Sequence, residues 1–184
     1  MGYVLEIRAG NLDTITTELQ TPTLKPHNLR DRTALDYHPE LADAWPQIQN
    51  IVATTIAAGE QRTVSGPIAA YLIAVIAHHT HPWAALQHTA SGGPEFRAEI
   101  TTDAAPIFGL TLTAGLVRRP LLGLYTDDYP FFGWADTTEL HQSVAALPAD
   151  SIRQSEDDTE VVRTFRTCIT SAARRNLDLI TIYA

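Results

Sequence analysis

Four of the seven histidines fall close together as His78, His79, His81 and His88. Imidazole is the side chain that binds metals and moves protons near neutral pH. If the chain here is helical, His78 and His81 are three residues apart and share a face, a spacing that metal ligands use. A metal would then need a third ligand carried in by the fold, such as His88, His38 or Asp103. At about 100° per residue, His79 falls on the stripe of Ile68, Leu72 and Val75. It reads as a core-edge histidine with one satisfied nitrogen. The simpler use of the group is positional, because an imidazolium at a helix C-terminus relieves the negative dipole end.

The second chemically dense segment is residues 125–134. It interleaves Tyr125, Tyr129, Phe131, Phe132 and Trp134 with Asp127 and Asp128. Tyrosine and tryptophan give large contact area at low entropic cost, so Asp127, Asp128, Tyr129 and Trp134 form a candidate pocket or recognition surface. The competing use is internal: Phe131 and Phe132 anchor a loop to the core, and Asp127 caps a turn. Adjacent aspartates on a strand point to opposite faces, so Asp127 and Asp128 cannot both aim at one substrate without a turn.

Nucleophilic catalysis has little support. Ser65 and Ser91 lie near glycines, but neither sits in Gly-x-Ser-x-Gly. Cys168, the single cysteine, lies on an apolar helical stripe and reads as a small buried hydrophobe. The chain contains no phosphate-binding glycine loop and no His-Glu-x-x-His. The run Glu156-Asp157-Asp158 reads as a solvated helix start.

The elements that must position these groups follow from periodicity. Residues 3–8 alternate as a strand. Asn11 or Asp13 caps a helix that runs through Leu19, and residues 20–33, with two prolines, read as a loop. Leu41, Trp45, Ile48, Val52 and Ile56 make a helical stripe, in which Pro46 should kink the helix or start a new one. Ser65-Gly66-Pro67 opens the next helix. Its second face is mostly alanine, so it should be buried on most sides, and Pro82 should stop it. Residues 88–136 read as short apolar runs between glycines and prolines, as strands or a short helix. Asp136-Thr137-Thr138-Glu139 is a capping box in form. A last helix spans about 158–175, with Asn176 as its C-cap, and residues 177–183 alternate as a closing strand. The expected fold is α+β: one domain over residues 1–184, with helices packed on a small mixed or antiparallel sheet that contains both terminal strands.

Composition narrows the function classes. The 184 residues carry 13 Lys+Arg against 21 Asp+Glu, a formal net charge of −8. A non-specific nucleic-acid or anionic-membrane binder would normally be basic, so neither partner is expected. The longest apolar run covers residues 68–77, half of what a membrane span needs, which is about 20. The first residues lack a signal-peptide pattern. These features predict a cytoplasmic protein with a reduced thiol and no cofactor. Twelve arginines against the single Lys25 suggest a GC-rich coding bias.

Residues 68–183 carry a familiar pattern. An apolar helix leads to Pro120-Leu121-Leu122-Gly123-Leu124-Tyr125, then Asp127-Asp128-Tyr129-Pro130 with Phe132-Gly133, and the chain closes on Leu177-Asp178-Leu179-Ile180-Thr181-Ile182-Tyr183. This resembles an uncharacterised, mainly actinobacterial family of domains of unknown function. More distantly it is similar to the small α+β family of the bacterial protein YfbM. The resemblance implies no catalytic residues. The leading expectation is an acidic inhibitor of another protein, immunity- or antitoxin-like, steered to a basic partner by its charge. The alternative is an enzyme or ligand-binding protein with a histidine/aspartate pocket between residues 78–81 and 127–134, whose metal-dependent form would use His78, His81 and His88. A homo-oligomeric accessory protein is the third expectation.

Overall fold

A computed structural model describes residues 2–89, 93–127, 130–147 and 158–184. Its centre is an antiparallel four-stranded sheet in the order β3-β1-β6-β5. The strands are β1 (Gly2–Gly10), β3 (Thr80–Thr89), β5 (Phe131–Ala135) and β6 (Asp178–Tyr183). The two terminal strands are thus neighbours in the middle of the sheet, closed by Val4 and Ala184 exchanging backbone hydrogen bonds at 2.8 and 3.0 Å. A separate parallel pair joins β2 (Arg62–Thr63) to β4 (Leu124–Tyr125). The α+β, single-domain expectation agrees with this architecture.

Alternation along the strands divides the core in two. Leu5, Ile7 and Ala9 of β1, with Leu179 and Tyr183 of β6, face one helical layer: α5 (Gly93–Phe108), α6 (Leu110–Val117), α7 (Thr137–Ala146) and α8 (Glu160–Arg175). Ile180 and Ile182, with Phe132 of β5, face the other: α1 (Leu12–Gln20), α2 (Thr33–Tyr37), α3 (Leu41–Ala57) and α4 (Gly66–His79). The sheet is therefore the middle of three layers, and all of β6 is buried. Sheet and helices pack tightly at Gly133, where a Cβ would collide with the Leu116 carbonyl of α6 and the Thr181 hydroxyl of the neighbouring strand.

The caps form as the sequence suggests. Asn11 accepts from the Thr14 N–H, Asp136 and Glu139 make a reciprocal capping box, and Asn176 ends α8 in the left-handed region at φ 53°. Three readings differ. α3 runs unbroken through Pro46, because the stripe of Leu41, Trp45, Ile48 and Val52 is buried along its length and outweighs one missing N–H. Pro82 does not end α4. The helix stops at His79, and Thr80 opens β3 at once. Pro82 sits in that edge strand, where the register with β1 shifts between Ile7 and Arg8, and an edge tolerates a residue with no N–H. Most of residues 93–117 is helical, in α5 and α6, with Pro106 inside α5. The proline, and Gly109 between the helices, break up the period that would have revealed them. Among the described residues, no helix is long and apolar enough to cross a membrane.

Candidate functional site

A cleft arises where α4 crosses the sheet. Register places Glu6 opposite Ile182 and Arg8 opposite Ile180, so both charged side chains share a face with the second core. α4 meets that face with Ala69, Ala70, Ile73, Ala74 and Ala77. Alanine stops at Cβ, so helix and sheet are held apart without being filled between. The resulting cleft holds about 600 Å³, a size suited to a small molecule. α2 forms another wall through Ala34 and Tyr37, and Tyr37 is 80% exposed.

One end of the cleft is charged. Arg8 is almost fully buried and donates from Nη1 to Glu6 Oε1 at 2.6 Å and from Nε to Thr80 Oγ1 at 2.7 Å. Its Nη2 faces the carbonyls of Ala77 and Thr80 at 3.4 and 3.5 Å. Arg30 donates to the same two carbonyls, at 2.8 Å to Ala77. Two guanidinium groups therefore cover the negative end of α4, where cations are favoured. Asp31 accepts from the Thr33 N–H at 2.9 Å. Hydrogen bonds from Thr33, and then the charges of Arg8 and Arg30, hold its carboxyl below the usual range against the upward push of burial. Arg30 is thus turned towards backbone carbonyls, and Arg8 chiefly towards Glu6 Oε1 and the Thr80 hydroxyl. The hydrogen-bonding capacity left at this end belongs chiefly to the carboxylates of Glu6 and Asp31. His38 also lines the cleft, with Nδ1 3.3 Å from Glu40 Oε1.

The histidines named from the sequence lie just beyond this end. His78 Nδ1 accepts the Arg30 backbone N–H at 3.2 Å, and His81 Nε2 is 3.5 Å from Arg30 Nη1. The helical spacing of His78 and His81 does not exist, because His81 already belongs to β3. His81 pairs with Ala9 and His88 with Tyr3. Seven residues of strand separate them by about 23 Å, so His78, His81 and His88 do not converge on one ion. Nor, among the described residues, do any three His, Cys, Asp or Glu side chains group as metal ligands.

His79 is half-buried. Its Nε2 is buried with no hydrogen-bond partner among the described residues. Burial lowers its pKa below the usual 6.5, helped by His78 and Arg30 and opposed by Glu18. The unfolded chain therefore binds this proton more readily than the folded one. The linked stability is present above about pH 6.5 and is lost as pH falls from there through the lower folded-state pKa. Thermal unfolding should show the midpoint dropping between pH 7.5 and 5.5, with a flatter profile in His79→Leu. Superimposable profiles for the two proteins would show that another group is responsible.

The aromatic segment is largely committed inside the molecule. Phe131 and Phe132 are buried in opposite cores. Trp134 donates from Nε1 to the Pro120 carbonyl at 3.0 Å and lies 4.3 Å beneath the Arg119 guanidinium. Arg119 in turn grips both carboxylate oxygens of Glu139 at 2.8 and 3.0 Å. Burial raises the Glu139 pKa, but these bonds and the one to the Asp136 backbone leave it lower than usual. Asp127 is exposed, and Asp128 and Tyr129 lie outside the described residues. Among the described residues of this segment, only Pro130 borders the cleft.

The sequence reading assigned neither Glu6, Arg8 and Asp31 nor the alanine face of residues 69–77 to a site. The available signals were the placement of Glu6 and Arg8 on one strand face and the alanines recurring at helical spacing along residues 69–77. No family model matches the chain, and no curated protein or solved structure matches it.

Proposed function

We propose that the chain is a small-molecule-binding protein whose cleft takes a ligand with a compact apolar body and a cationic, hydrogen-bond-donating head. The observation that carries this reading is the unfilled space of about 600 Å³ between the alanine face of α4 and the sheet. Protein interiors are close-packed, and leucine or phenylalanine on α4 would have closed this gap. The apolar body lies against Ala69, Ile73, Ala74 and Ile182. The head meets Asp31 and the second carboxylate oxygen of Glu6, which can accept, while Arg8 is engaged with Glu6 Oε1 and Thr80 and Arg30 with carbonyls. The net charge of −8 favours the approach of a cation.

Titration calorimetry with hexylammonium, hexanol and hexanoate tests both halves of the proposal. The expected result is saturable one-to-one binding of hexylammonium, with hexanoate at least about tenfold weaker, the size of one charge-assisted hydrogen bond. Equal affinity for hexanoate would contradict the assignment of the head group. Absence of saturable binding by all three would contradict the cleft as a binding site.

A further inference from the structure

A second site lies on the opposite helical layer and owes nothing to the cleft. α8 carries Arg163, Arg166, Arg174 and Arg175. Arg166 is buried and paired with Asp158 at 3.0 Å. Arg163 and Arg175 make no ion pair among the described residues. They stand at the two ends of a groove of about 520 Å³ between α8 and the edge strand β3. Helical spacing builds one wall: Thr164, Cys168, Ser171 and Arg175 follow one another by four, three and four residues, with Arg163 and Thr167 alongside. The twelve helical steps from Arg163 to Arg175 span about 18 Å of helix axis. The other wall is Trp83 and Ala84. These consecutive strand residues both pack against the first core, beside the register shift in β3.

The chemistry of the groove is one-sided. Among the described residues, its charged lining is the two arginines, its polar lining is the hydroxyls of Thr164, Thr167 and Ser171, and no carboxylate lines it. In a chain of net charge −8 this is a local positive site. The Arg175 guanidinium carbon is 5.5 Å from the Trp83 ring centroid. A cation–π contact of this kind holds the guanidinium beside the ring without spending its N–H donors on an acceptor, so they stay available to a planar or tetrahedral oxyanion. Arg163 gives one N–H to the Asp158 carbonyl at 2.7 Å and keeps its others. The Cys168 thiol is buried and pushed up to about 11 by that burial. Burial thus disfavours the thiolate at neutral pH, and the thiol gives the groove no activated nucleophile. An acidic peptide strand added to β3 is disfavoured, because Pro82 offers no N–H and the register shift interrupts the ladder.

We infer that this groove binds a phosphomonoester of a small hydroxylated molecule, with the phosphate on Arg175 and the ligand hydroxyls along Thr164, Thr167 and Ser171. The test is titration of the full chain with ribose 5-phosphate, read by tryptophan fluorescence, beside ribose and inorganic phosphate. Arg175→Gln is compared with Arg174→Gln, which removes the same charge from an exposed neighbour outside the groove. The expected result is saturable binding of ribose 5-phosphate that is at least about tenfold tighter than ribose or inorganic phosphate. Arg175→Gln should weaken it by about tenfold or more with unchanged circular dichroism, and Arg174→Gln should leave it within about twofold. Absence of saturable binding, no effect of Arg175→Gln, or an equal effect of Arg174→Gln would overturn the site. Inorganic phosphate binding as tightly as the ester would overturn the assignment of the hydroxyl stripe.

Discussion

Replacing Asp178 by alanine is expected to lower the unfolding free energy by about 3 kcal/mol or more. Asp178 opens β6 and is 9% exposed. Its Oδ2 accepts the Leu12 N–H at 2.7 Å, and its Oδ1 accepts the Thr137 N–H and the Thr137 hydroxyl, each at 2.7 Å. Leu12 and Thr137 are the first residues of α1 and α7, which lie on opposite faces of the sheet. One carboxylate thus serves the positive ends of two helices and ties both helical layers to the central strand. Each bond to the charged group contributes about 1.5–3 kcal/mol, and the substitution leaves two helix N–H groups without their acceptor. Asp178→Asn should be intermediate, since one side-chain oxygen remains while the amide NH₂ faces a donor. Chemical denaturation measures both. A loss below about 1 kcal/mol for Asp178→Ala would contradict the double-cap account.

The second large effect is expected in binding. Ala74→Leu should weaken hexylammonium by about 100-fold, equivalent to about 2.7 kcal/mol, with the fold intact. Ala74 is 1% exposed and lies in the middle of the α4 wall. The added isobutyl group would occupy the space assigned to the ligand body. If overpacking disturbs the helix, Ala34→Phe makes the same test from the half-buried α2 wall. Retention of full affinity in a folded Ala74→Leu or Ala34→Phe protein would show that the ligand does not enter between α4 and the sheet.

Much of the fold is legible because its signals are local. The Asn11 cap, the Asp136/Glu139 box, the Asn176 stop and the alternation of residues 177–183 each need only a few consecutive residues. β3 is hidden because Pro82 and the run Trp83-Ala84-Ala85 spoil its alternation. α5 and α6 are hidden because Pro106 and Gly109 interrupt their period. The role of Asp178 is invisible for another reason: its partners, Leu12 and Thr137, are distant in sequence and meet it only after the sheet has formed.

The cleft illustrates the same limit. Glu6, Asp31, Ala74 and Ile182 come from four elements or loops, and no short window contains two of them. The alanine face of α4 is visible in sequence and suggests burial on most sides. Ala69, Ala70, Ala74 and Ala77 are indeed buried, but they border a cleft and not a fully packed layer. The histidine cluster shows the opposite error. A local pattern suggested convergence, and the change from helix to strand at Thr80 sends His81 and His88 along an extended chain.

The most direct test of the binding reading is an amide nuclear magnetic resonance titration of ¹⁵N-labelled protein with hexylammonium. Binding in the cleft predicts saturable shifts confined to Glu6, residues 31–37, residues 69–77 and Ile182, with α8 and Trp83 unmoved. Shifts clustered elsewhere, or shifts that grow linearly without saturating, would contradict it.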